Sequence, residues 1–103
     1  MPTLVSNDIQ KVEDGTMLLV ISSKLVGSQS VLFDEELEVF VRAHEWRWNS
    51  TTGKPFTTID KRRIELHRHL AEMKHRDKAV SNISILPAAI CDYRMKNLLI
   101  RFS

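Results

Sequence analysis

A small α+β domain with mainly antiparallel strands and two principal helices is the fold class this sequence predicts. Three observations lead there. Short runs rich in β-branched and apolar residues alternate with turn residues over most of the chain. Two segments instead carry apolar residues at helical spacing: Leu37, Phe40 and Val41, and then Leu66, Leu70 and Met73. With 103 residues there is room for one core, since two domains of about 50 residues would each sit near the lower size limit. Residues 1–103 therefore read as a single domain.

The elements follow in order. Residues 1–15 close on Glu13-Asp14-Gly15, a turn signal. Residues 16–24 hold the apolar run Met17-Leu18-Leu19-Val20-Ile21 and read as a strand buried on both faces or nearly so. Val26-Gly27-Ser28 turns the chain, and Gln29–Phe33 returns as a second strand. Asp34 is placed to cap a helix over residues 34–43, with Glu35 and Glu36 suited to its positive end. Glu45–Asn49 alternates as a strand with Trp46 and Trp48 on one face, and one or both are expected in the core. Ser50–Lys54 forms a turn, Pro55–Ile59 returns as a partner strand, and Lys61–Leu66 alternates again. The period then changes, and a helix runs from Leu66 to about Arg76. Residues 80–91 are β-like around Pro87, Asp92 could cap one helical turn through Asn97, and Leu98–Phe102 reads as a strand.

Composition excludes several classes. With 43% apolar and 27% charged residues, the chain is not disordered. No apolar run approaches the roughly 20 residues that a membrane helix needs. Met1-Pro2-Thr3 lacks the basic start of a secretory signal, and the expected location is cytoplasmic. A single cysteine, Cys91, rules out an internal disulfide and a multi-cysteine zinc site. The net charge of +2 conceals an uneven distribution: residues 1–40 hold two bases against seven acids, and residues 41–103 hold thirteen against six. Such asymmetry points to a polyanionic partner, or to two halves that neutralise each other in the fold.

No catalytic or metal constellation stands out. His44, His67, His69 and His75 include no His-x-x-x-His pair, the spacing that sets two imidazoles on one helix face. No elbow motif surrounds a serine, Cys91 sits in an apolar stretch that would disfavour its thiolate, and no Gly-rich phosphate loop is present. Neither a metal nor a cofactor is expected. The basic and aromatic material is denser: Trp46, Arg47, Trp48, Lys54, Lys61, Arg62, Arg63, Arg68, Lys74, Arg76 and Lys78 fall in one stretch. Strands and a helix bearing alternate cations can follow a phosphate backbone. The competing reading is a solvated face, with Glu65, Glu72 and Asp77 interleaved.

The order of pieces resembles a family. An acidic capped helix (Asp34-Glu35-Glu36-Leu37-Glu38-Val39-Phe40) leads to Glu45-Trp46-Arg47-Trp48 and a turn at Gly53. A basic strand with Leu66-His67-Arg68 follows, and then Asp92-Tyr93-Arg94-Met95-Lys96-Asn97-Leu98. Over residues 32–101 this resembles phage and homing-type HNH endonucleases, where an AP2-like sheet precedes a ββα-metal nuclease motif. The resemblance implies a C-terminal remnant of that ββα motif. In the family, an Asp/His-His pair supplies a metal ligand and the general base; the nearest equivalent here is Val80-Ser81-Asn82-Ile83. Neither Ser nor Asn takes a proton from water near neutral pH. The bracing Asn of the last motif is Tyr93, and Asn97 alone matches the final ligand position. The resemblance therefore implies a scaffold without nuclease activity.

Two uses for such a scaffold are expected. One is a non-catalytic nucleic-acid-binding domain, with double-stranded DNA held by Arg47, Lys54, Lys61, Arg62, Arg63, His67, Arg68 and Lys96. The other is a phage-encoded inhibitor or adaptor, acting in the host cytoplasm, that docks on a host protein through Asp34, Glu35, Glu36 and Glu38. Nucleic-acid binding requires the cations to share a face and the acidic helix to lie away from it.

Overall fold

Three antiparallel sheets and two helices make up the computed structural model, in which residues 5–23, 27–87 and 91–103 are described. The first sheet is a meander of β1 (Val5–Glu13), β2 (Thr16–Ser23) and β3 (Gly27–Asp34). A 3-10 turn at Glu35–Leu37 leads into the short helix α1 (Glu38–Arg42). The second sheet, β4 (Arg47–Asn49), β5 (Lys54–Ile59) and β6 (Arg62–Glu65), runs directly into helix α2 (Leu66–Lys74). β7 (Val80–Ile85) and β8 (Leu98–Phe102) form a two-stranded sheet, with a 3-10 turn at Met95–Asn97 between them. The fold is α+β, as the periodicities predict. Among the described residues no helix is long and apolar enough to cross a membrane. Val26 of the expected turn, Lys24 of the expected first strand and residues 88–90 of the expected β-like stretch lie outside the described residues.

One core joins the first sheet to the helices. Met17, Leu19 and Ile21 from β2 and Val31 and Phe33 from β3 bury alternate positions. Against them pack Leu37 and Val41 from the α1 region, Trp46, Leu66 and Leu70 from α2, and Tyr93. Leu18 and Val20 on its other face stay half-buried, so β2 is buried fully on one face and in part on the other. The expected helix cap at Asp34 is not formed: Asp34 precedes the 3-10 turn and its side chain makes no capping bond. Its carboxylate instead accepts the Met95 N–H at 2.7 Å, which draws the C-terminal segment onto the end of β3.

That segment is fastened at a second point. Leu32 on β3 bonds in parallel with Asp92, through Leu32 N–H to the Cys91 carbonyl (2.9 Å) and Tyr93 N–H to the Leu32 carbonyl (2.8 Å). Arg94 then grips Asp92 with both ends of its guanidinium, Nε at 2.8 Å and Nη2 at 2.5 Å. This planar two-bond pairing is stronger than a single contact. The Arg94 hydrogen bonds hold the Asp92 carboxyl below the usual carboxylate range, against the opposing effect of partial burial. Asn97 donates to the Asp92 carbonyl at 3.4 Å. The Asp-x-Arg-x-x-Asn pattern thus performs a joining role, binding the last strand to the first sheet.

Candidate nucleic-acid interface

The second sheet has two unlike faces. Cross-strand partners share a face, and the register sets Arg47 opposite Phe56, Phe56 opposite Glu65, and Thr58 opposite Arg63. Trp48, Pro55, Thr57 and Ile64 alternate onto the other face, where Pro55 and Thr57 are buried. α2 packs against β5 and β6. The first face is left to solvent and carries Arg47 and Arg63, both exposed, and the half-buried Glu65 around the half-buried Phe56 ring. The Arg63 guanidinium lies 4.3 Å from the centre of that ring, a cation–π contact. Two strand spacings and a two-residue offset set Arg47 and Arg63 roughly 12 Å apart along the face.

A groove of about 520 Å³ runs between them, lined by His44, Glu45, Arg47, Phe56, Thr58 and Arg63 among others. Arg47 pairs with Glu45 at 3.4 Å, both side chains being about half exposed. A pair so open to water contributes about 1 kcal/mol or less, so a phosphate can displace it. The exposed side chains of Lys61, Arg62 and Arg63 make no ion pair among the described residues.

Lys61 is held in an unusual backbone. Asp60 (φ 51°) and Lys61 (φ 66°) form the two-residue tip between Ile59 and Arg62, and both are left-handed. Hairpin tips of this length need positive φ, and glycine is the usual second residue. A lysine there costs roughly 1 kcal/mol relative to glycine, and in return sets a cation at the outermost point of the sheet. Lys61→Gly is expected to raise the stability measured by urea unfolding by about 1 kcal/mol. An unchanged or lower midpoint would show that the lysine is not strained.

The other expected site residues are dispersed. Arg62 alternates onto the face opposite Arg63 and pairs across to Ile59. Arg68 is half-buried on α2, donating to the Val80 carbonyl at 3.1 Å and lying 3.5 Å from Glu72. Lys54 is half-buried and lines a separate cleft together with His67. His67 is only 7% exposed, too buried to reach a nucleic-acid surface. Lys96 is exposed in the 3-10 turn before β8, outside the second sheet. Of the eight residues expected to share one face, Arg47 and Arg63, with Lys61 at the tip, are the ones the second sheet's open face retains. Alternation on β6 sends Arg62 the other way, and the helical turn at Leu66 carries Arg68 off the sheet.

The acids of the α1 region are occupied. Glu35 accepts the Gly15 N–H at 3.1 Å and faces Lys11 at 3.4 Å. Glu36 meets Lys74 at 2.5 Å, Glu38 meets Arg42 at 2.6 Å, and Asp34 holds Met95. The charge halves of the sequence therefore neutralise each other in part, through Glu36–Lys74, Glu38–Arg42 and Glu13–Arg94.

Two histidines were not legible as buried residues. His67 and His69 on α2 are 7% and 6% exposed, and His67 Nδ1 and His69 Nε2 have no hydrogen-bond partner. Burial lowers the pKa of both, with Glu65 opposing the shift at His67 and His44 adding to it at His69. The unfolded chain then binds more protons below the ordinary histidine value of 6.5, so stability is lost as pH falls through that region. The melting temperature is expected to drop from pH 7.5 to pH 5.5, and to drop less in His69→Gln. A flat profile over that range would contradict the burial. Among the described residues no three His, Cys, Asp or Glu side chains gather as a metal site.

Compared with protein-family models, with curated proteins and with solved structures, the chain has no match.

Proposed function

We propose that this chain is a non-catalytic nucleic-acid-binding domain on a degenerate HNH/AP2-like scaffold of phage type, and that it holds double-stranded DNA against the exposed face of β4, β5 and β6. One observation carries the reading: Arg47 and Arg63 flank an aromatic ring on an open sheet face, with Lys61 projecting at its tip. Guanidiniums on a sheet bind successive phosphates, and a β-sheet face is narrow enough to enter the major groove. The inhibitor reading has less support, because Asp34, one of the four carboxylates it needs, is tied to the Met95 N–H within the fold.

Duplex binding measured from 25 to 200 mM salt tests the proposal. Three to four phosphate contacts give a log–log slope of roughly −3 to −4. No duplex binding at 25 mM salt, or a slope near zero, would reject it and leave the protein-docking reading in its place.

Cleavage is not expected. Ser81 Oγ donates to the Arg101 carbonyl and Asn82 Oδ1 accepts the Ile83 N–H, so neither side chain offers a base to water. Plasmid incubated with the protein and magnesium, manganese or zinc should stay supercoiled. Metal-dependent nicking that vanishes in Asn97→Ala would contradict this.

A further inference from the structure

A strand at the edge of a sheet presents unpaired backbone groups, and proteins commonly guard such edges with charged side chains. Among the described edge strands, β1, β3, β4, β6 and β8 each carry at least one charged residue. β7 carries none: its sequence is Val-Ser-Asn-Ile-Ser-Ile. Among the described residues β8 is its one partner strand. A concavity of about 490 Å³ separates its other side from the β4–β5 turn.

The ladder with β8 fixes which backbone groups of β7 point outward. The Leu86 N–H donates to the Asn97 carbonyl at 2.9 Å, one step beyond the Ile85–Leu98 pair. Antiparallel pairs alternate between bonded and non-bonded, so Ser84 turns its N–H and carbonyl towards Leu99, while Ile83 and Ile85 turn theirs away from β8. The two outward carbonyls and the Ile85 N–H have no hydrogen-bond partner among the described residues. The Ile83 N–H donates to Oδ1 of the exposed Asn82 at 2.9 Å. Ile83-Ser84-Ile85 reads the same in both directions. An antiparallel copy centred on Ser84 therefore sets each Ile85 N–H against the partner's Ile83 carbonyl. A copy centred on Ile85 would instead set Ile83 against the partner's Pro87, which has no N–H to give.

We propose that β7 pairs antiparallel with β7 of a second copy of this chain, about a two-fold axis at Ser84, and so joins two β7–β8 hairpins into one four-stranded sheet. The contact is isologous, with the same edge used by both copies. The Ile83 N–H joins the ladder once the Asn82 side chain swings aside, and it then meets the partner's Ile85 carbonyl. The contact is short and belongs with small, transient interfaces, so it forms at high protein concentration. It lies outside the open face of the second sheet and does not depend on that face binding nucleic acid.

Sedimentation equilibrium and disulfide trapping of the full chain test the proposal. The sedimenting mass should rise from monomer towards dimer with concentration. Ser84→Lys should stay monomeric, because it sets like charges directly opposite each other at the axis. Ser84 is exposed, so this variant should fold, which circular dichroism checks. In a Cys91→Ser background, Ser84→Cys should oxidise to a linked dimer. Residues facing each other in a non-bonded antiparallel pair have Cα atoms about 4.5 Å apart, within disulfide range. Leu99→Cys, also exposed, lies on β8, so its two copies stand roughly 14 Å apart across the joined sheet and out of reach. Held in register, the Ser84→Cys thiols should link at least about tenfold faster than those of Leu99→Cys. A parent chain that is monomeric at millimolar concentration, equal linking rates, or unchanged self-association in Ser84→Lys would overturn the proposal. So would loss of self-association in Arg47→Ala/Arg63→Ala, which would move the contact to the second sheet.

Discussion

Replacing Trp46 with alanine is expected to lower the unfolding free energy by about 3–5 kcal/mol, the usual cost of truncating a large buried aromatic. Trp46 is the largest fully buried side chain, at 0% exposure. It sits where β1, the α1 region and α2 meet, so the cavity left behind has three elements to lose contact with. Its indole Nε1 donates to the Val41 carbonyl at 2.8 Å, and the truncation would leave that carbonyl to the longer bond from the His44 N–H at 3.4 Å. Its backbone is held from the other side: Asn7 accepts the Trp46 N–H at 2.6 Å and donates to the Trp46 carbonyl at 2.9 Å. Trp46→Phe keeps much of the volume and should cost less, while still losing the bond to Val41. Trp48, half-buried two residues on, should cost well under the Trp46 value. Urea unfolding of the three variants gives the comparison, and a loss under about 1 kcal/mol for Trp46→Ala would mean the core is centred elsewhere.

Trp46 also shows what the sequence could disclose. Alternation placed both tryptophans on one face, and that face is the inner one. Helical spacing placed Leu66 and Leu70 in the core, where both are fully buried, while Met73 at the same spacing is half-buried nearer the helix end. The hairpin β4–β5, the strand β6 and the strand β8 were equally legible, because turn residues bound them and β-branched or aromatic residues fill them. β1 was not legible. Asn7, Asp8, Gln10, Lys11 and Glu13 give it a polar character, since it is an edge strand paired on one side with β2 and mostly exposed.

The candidate site was legible as composition and not as geometry. The run from Lys61 to Arg68 looks like one basic patch in sequence. A strand period of two and a helical start at Leu66 divide it among the two sheet faces and α2. Asp34 has good cap chemistry, yet its partner is 61 residues away at Met95, and local pattern cannot reveal that. His67 and His69 look like surface polar residues beside Arg68, and only the packing of α2 against the first core shows them buried.

The central claim is that one face of one sheet meets the duplex, and removal of charge from that face tests it. Arg47→Ala/Arg63→Ala takes two cations from the exposed face of the second sheet. Arg76→Ala/Lys78→Ala takes two from the end of α2, where they stack on Phe40 and Phe102. The two variants have the same net charge, so a difference between them reports position and not overall electrostatics. Each guanidinium–phosphate contact is a charge-assisted hydrogen bond of about 1.5–3 kcal/mol, so losing two should weaken binding at low salt by at least about tenfold. The salt dependence should flatten by about two units, one for each contact removed. Both variants should fold, since all four side chains lie on the surface. The deciding measurement is the slope of duplex affinity against salt for the parent and the two variants. A slope flattened by about two units in Arg47→Ala/Arg63→Ala, with Arg76→Ala/Lys78→Ala close to the parent, is the predicted result; equal slopes in the two variants, or a sheet-face variant that binds as the parent does, would contradict it.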